Sequence, residues 1–134
     1  MSDRLTVTLA VADLARTEHF YATTLGLAVE RFRPLPGHSP LLLMRRETAT
    51  LLFRERPTLA ALHPALFQNL ERHPVGVGMT LELEVLDLRP PLRRLERLGW
   101  PLSYELEDDE FDRHEVWLHD PDGYLLVLGA TNRP

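Results

Sequence analysis

The sequence predicts an α+β protein built from two tandem βαβββ modules, and two observations carry that prediction. The first is a repeat. Residues 11–14 read Val-Ala-Asp-Leu and are followed by a helical stretch and Leu25-Gly26-Leu27; residues 85–88 read Val-Leu-Asp-Leu and lead through another helical stretch to Leu98-Gly99-Trp100. Asp13 and Asp87 stand 74 positions apart in a chain of 134, so the two copies divide it nearly in half. The second observation is that one strand-like run precedes each helix and three follow it. Two copies are too few for a solenoid, so the repeat implies a pseudo-symmetric pair of modules sharing one sheet.

Each element has its own signal. Residues 5–11 alternate Leu-Thr-Val-Thr-Leu-Ala-Val, a half-buried strand with Thr6, Thr8 and Ala10 on its polar or small face. Asp13 is an N-cap, Leu14, Phe20, Tyr21 and Leu25 form the apolar stripe of a helix, and Gly26 ends it. Residues 27–32, 41–44 and 48–53 are the next three strands, separated by a Pro34, Pro36 and Gly37 loop and by the turn Arg45-Arg46-Glu47. Pro57, Pro64 and Pro74 bracket Leu59, Leu62, Leu66, Phe67 and Leu70, the pattern of one or two short amphipathic helices covering something apolar. In the second copy, residues 79–85 form a strand and Asp87 caps a helix with Pro90 and Pro91 in its first turn. That helix buries Leu88, Leu92 and Leu95 and stops at Gly99. Residues 100–106, 115–119 and 124–128 complete the strands, the last two joined by the turn Asp120-Pro121-Asp122-Gly123. The chain is thus organised as a single domain, with module one at 4–55, a connector at 56–75 and module two at 76–131.

Composition narrows the function classes. A net charge of −5 leaves no basic face for nucleic acid. There is no cysteine, so disulfides, thiolate catalysis and thiolate metal sites are excluded. No apolar run approaches the ~20 residues of a membrane span, and no signal-peptide pattern opens the chain, so a cytoplasmic protein is expected. The acidic run Glu105, Glu107, Asp108, Asp109, Glu110 and Asp112 lacks the glycine and spacing of a calcium loop and reads as a solvated loop.

The order Val11-Ala12-Asp13-Leu14, His19-Phe20-Tyr21, Leu25-Gly26-Leu27 and, near the C-terminus, Asp120-Pro121-Asp122-Gly123-Tyr124-Leu125-Leu126 resembles the vicinal oxygen chelate superfamily. That superfamily includes glyoxalase I, extradiol dioxygenases and bleomycin resistance proteins. The resemblance implies a curved mixed sheet forming a cup, helices on its outer face, and a cavity lined by the inner face. Metal-dependent relatives carry a histidine on the first strand of each module and a carboxylate near each last strand. Carried onto this chain, those positions fall on Thr6, Thr80, Val127 and the neighbourhood of Leu52. Hydroxyl and aliphatic side chains do not supply the imidazole or carboxylate donors that Zn²⁺, Fe²⁺ or Mn²⁺ require, so no metal and no cofactor are expected.

Glu82 and Glu84 share strand parity with Thr80, opposite Leu81, Leu83 and Val85. On the resemblance that side lines the cavity, where two carboxylates suit a cationic or hydrogen-bond-donating ligand. A raised pKa would make one a general base. Glu115, Trp117 and His119 share a face of a later strand, with His114 on the other. The expected ligand-binding set is Thr6, Thr8, Thr80, Glu82, Glu84, Trp117, His119 and Val127, with no catalytic residue assigned. The function expected is that of a metal-free protein that sequesters a drug or metabolite, as a homodimer with no nucleic-acid or membrane partner. The alternative is a glyoxalase- or dioxygenase-like enzyme with a displaced metal, using His119 with Glu82 or Glu84, or with Glu acid/base catalysis.

Overall fold

The computed structural model describes residues 3–67 and 70–131. In chain order the elements are β1 (Leu5–Val11), α1 (Leu14–Glu18), β2 (Glu30–Phe32), β3 (Leu41–Arg45), β4 (Ala49–Glu55), α2 (Arg56–Leu62), α3 (Pro64–Phe67), β5 (Leu81–Glu84), α4 (Arg89–Leu98), β6 (Tyr104–Asp108), β7 (Arg113–His119) and β8 (Leu125–Thr131). A π-helical turn at His19–Thr24 follows α1, and a 3₁₀ turn at Leu70–Arg72 precedes β5. Two compact units result, one holding β1 to β4 with α1 to α3, the other β5 to β8 with α4; Thr24–Gly26 group with the second.

The strands form two mixed four-stranded sheets, ordered β1-β4-β3-β2 and β5-β8-β7-β6. This corrects the expectation of one shared sheet: every ladder runs within a module, because the first and last strand of each module pair with one another. β1 lies parallel to β4 and β5 parallel to β8, while the other pairs are antiparallel. The α1 and α4 segments provide the crossovers that a parallel pair requires.

In the first unit α1 packs on β3 and β4. Its start is fixed twice: the Asp13 carboxylate accepts from the Ala15 and Arg16 N–H groups, and the Leu14 N–H donates to the Glu55 carboxylate. Tyr21 is fully buried with its ring 4.9 Å from that of Phe53, and Leu9, Val11, Leu42 and Met44 complete this core. The helix expected to run to Leu25 is α-helical only to Glu18 and then widens into the π turn. The Leu27 N–H consequently closes that turn on the Tyr21 carbonyl, so it is not free for the sheet and β2 begins only at Glu30. Of the connector's apolar positions Leu59 is the buried residue of α2, which packs on β1 and β4, whereas Leu62 and Leu66 stay exposed.

The second unit buries Leu83, Leu88, Leu95, Val116, Leu118, Leu126 and Leu128. Gly99, at φ 66°, ends α4, with the Trp100 N–H bonded to the Leu95 carbonyl at 2.9 Å. Asp87 does not cap α4 as expected. Leu88 is the N-cap, and Pro90 and Pro91 remove the N–H groups that a capping carboxylate accepts from. Asp87 instead accepts from the Arg89 N–H and pairs with the Arg89 guanidinium, whose hydrogen bond holds its carboxyl below the usual aspartate range. The acidic run is only partly a loop. Glu105, Glu107 and Asp108 belong to β6, an edge strand whose charges discourage further pairing, and the Asp108 carboxylate accepts from the Glu110 N–H in the turn that follows.

Candidate functional site

Strand register places the acidic residues of the second module. Residues directly paired across a sheet share a face, so the ladders define rows. One row runs Glu84, Gly129, Glu115, Leu106 across β5, β8, β7 and β6. The adjacent row on the same face runs Glu82, Val127, Trp117, Tyr104. The opposite face carries Leu83, Leu126, Leu128, Val116 and Leu118, all buried. On β5 and β7 apolar residues at every second position therefore form this packed face and carry the carboxylates to the other side, where Val127 of β8 is also buried.

On that other face lies a depression of about 340 Å³, lined by Glu82, Glu84, Arg113, Glu115, Val127 and Gly129 together with Leu83 and His114. Glu115 is held from two directions: Arg113 Nη2 donates to Oε2 and Trp117 Nε1 donates to Oε1, each at 3.2 Å. Its side chain keeps only 17% of its exposure. The Trp117 ring stands edge-on to Tyr104 at 6.2 Å, extending the second row as an aromatic wall. Glu82 and Glu84 are solvent-exposed at the rim of β5.

The remaining expected residues lie elsewhere. Thr80 and His119 line a separate depression of about 400 Å³ beneath the loop of Val75, Gly76, Val77 and Gly78. Thr80 falls just outside β5, and the His119 ring faces Ser103 Oγ at 3.4 Å. Trp117 stands beside Glu115 and does not line the first depression. Thr6 and Thr8 belong to the first unit, on the face of β1 opposite Leu9 and Val11, in rows with Thr50 and Leu52 of β4. Arg113 and Gly129 were not singled out from the sequence. The alternation through Glu115 and Trp117 extends to Arg113, but the partnering of Gly129 with both Glu84 and Glu115 depends on register that no local pattern encodes.

The donor set does not fit the divalent metal of metal-dependent relatives. Thr6, Thr80, Leu52 and Val127 stand at the expected ligand positions, and among the described residues no three His, Asp or Glu side chains converge closely enough to hold an ion. His119 is not grouped with Glu82 or Glu84.

The Asp120 turn is a structural device. Asp120 is 3% exposed, and one carboxylate oxygen accepts from the N–H groups of Asp122, Gly123 and Tyr124, each at 2.9 Å.

Comparison with known proteins agrees with these modules. The family profile described as a glyoxalase-like domain matches residues 6–128. The chain belongs to the glyoxalase-like domain family. It is thereby placed in the vicinal oxygen chelate superfamily, consistent with solved structures of the same fold. A lactoylglutathione lyase from Agrobacterium tumefaciens is 21% identical, with a TM-score of 0.60 over 98% of this chain and 96% of that one. A glyoxalase/bleomycin resistance protein from Catenulispora acidiphila is 22% identical, with a TM-score of 0.60 over 97% and 99% of the two chains. A glyoxalase/bleomycin resistance protein/dioxygenase from Nocardioides is 16% identical, with a TM-score of 0.63 over 98% and 84%. At these identities the likeness establishes the fold, which hosts unrelated chemistries. No curated protein matches the chain.

Proposed function

We propose that this glyoxalase-like protein binds a small organic cation on the face of its second sheet, without a metal, and holds the molecule rather than transforming it. The observation that carries the reading is the alignment of Glu82, Glu84 and Glu115 on one face around a depression, with Val127 and Trp117 alongside. Carboxylates offer charge and hydrogen-bond acceptance to an ammonium or amidinium group, while the Trp117 and Tyr104 rings offer an apolar and cation-attracting wall. The non-fitting donor set supports the metal-free part of the reading. The fold's kinship with proteins named for bleomycin resistance supports the sequestering part. Thr80 and His119 in their own depression, and separately Thr6 and Thr8 on the first unit's sheet, are proposed as ligand contacts of secondary weight, and a homodimer is the proposed assembly.

The test uses proflavine, a planar organic cation, followed by its own fluorescence. Binding by the native protein is expected to weaken in the Glu82→Gln/Glu84→Gln double variant by on the order of 1–2 kcal/mol, roughly five- to thirtyfold. Zn²⁺, Ni²⁺ and Mn²⁺ are expected to leave the melting temperature unchanged, because only a ligand that prefers the native state stabilises it. Unchanged proflavine affinity in the double variant would defeat the acidic-face reading. A melting shift saturating near one metal per chain would replace it with the metalloenzyme alternative.

A further inference from the structure

We propose that Gly129 is the specificity-determining position of this face, where its missing side chain leaves a socket for the primary ammonium head of the bound cation. The inference rests on the binding reading above and adds the class of ligand it selects. Its basis is the contrast between two adjacent rows. The row through Val127 is filled from edge to edge by Glu82, Val127, Trp117 and Tyr104, whereas the next row has a gap at its centre between Glu84 and Glu115. Adjacent strands are about 4.8 Å apart, so the two carboxylate-bearing strands flank the gap at roughly 10 Å from backbone to backbone. That is room for one small charged group with an acceptor on either side. Glu115 is already oriented by Arg113 and Trp117, and each of its oxygens retains a second lone pair for an incoming N–H. The apolar body of the same ligand would then lie along Val127 and Trp117.

The backbone gives no other reason for glycine there. Gly129 lies inside β8, not among the glycines of positive φ, and a Cβ placed on it would come no closer than 4.0 Å to another group, the His114 carbonyl oxygen. Glycine inside a strand ordinarily weakens it, and one that avoids neither strain nor collision marks a site where something approaches the backbone closely. A primary ammonium fits that approach because its N–H groups reach acceptors on both flanks, whereas a trimethylammonium head is wider and donates nothing.

The experiment compares two probes with one body, 2-naphthylmethylammonium and 2-naphthylmethyl(trimethyl)ammonium, against the native protein, Gly129→Ala, Gly129→Val and Glu82→Gln/Glu84→Gln. The native protein is expected to prefer the primary ammonium by on the order of tenfold, the alanine variant to lose most of that preference, and the valine variant to lose binding of both probes. Melting temperatures of the glycine variants should match or exceed the native value; if valine prevents folding, the alanine variant decides. Glycine variants that keep native affinity and preference while the double glutamine variant loses binding would overturn the Gly129 socket and leave the acidic face standing. Failure of the native protein to bind either probe at millimolar concentration would overturn both.

Discussion

Asp120 shows how a turn expected from sequence is held at the scale of one residue. Asp120-Pro121-Asp122-Gly123 reads as a turn between two strands, and in the fold one buried oxygen of Asp120 accepts from three successive backbone donors. Alanine at this position would take the partner from the Asp122 and Tyr124 N–H groups in a partly buried turn, while the Gly123 N–H keeps the Asp120 carbonyl. Asp120→Ala is therefore expected to cost about 2–3 kcal/mol of stability, read as a lowered urea midpoint. An unchanged midpoint would mean that water replaces the carboxylate. Glu115 differs, since its two charge-assisted contacts, from Arg113 and Trp117, hold it along the sheet face rather than close a turn.

Among the elements, the two helices that look equivalent in the repeat begin differently. Asp13 bonds the second and third N–H groups of α1, whereas at the same place in α4 the residues are Pro90 and Pro91, which have none to offer. Asp13→Ala is thus expected to destabilise the protein by about 1 kcal/mol, the usual cost of a lost N-cap. Asp87→Ala, removing only an exposed contact with Arg89, should leave the urea midpoint close to native. The Arg89 contact lowers the Asp87 pKa, so its small contribution is complete above the ordinary aspartate range and fades as the pH falls through the depressed value. A larger loss for Asp87→Ala than for Asp13→Ala would reverse this account of the caps.

For the whole molecule, among the described residues each sheet has two edge strands, β1 and β2 in the first and β5 and β6 in the second. The first sheet places exposed Leu5 and Phe32 on its two edge strands, at 61% and 49% exposure, and the homodimer proposed above is tested on the whole chain. Equilibrium sedimentation at micromolar concentration is expected to give roughly twice the chain mass, since a specific interface above ~1,000 Å² supports association there. A single-chain mass across the concentration range would remove the homodimer from the proposal. Among the described residues no helix is long and apolar enough to cross a membrane.

The sequence by itself determined the two-module plan, because period-two alternation and the Gly26 and Gly99 stops are local signals that each module repeats, even though Asp13 caps its helix and Asp87 does not. It also determined that Glu82 and Glu84 lie opposite Leu83, since strand parity needs no knowledge of neighbours. Only the tertiary structure decided that the strands divide into two open sheets, that β2 starts late behind a π turn, and that Thr80 and His119 part company with the glutamates. It alone set Gly129 between Glu84 and Glu115. The physical reason is the same in each case. Parity and capping are properties of a short segment, whereas cross-strand register is set by how non-local segments pack, and a site made of rows across four strands exists only once that packing is in place.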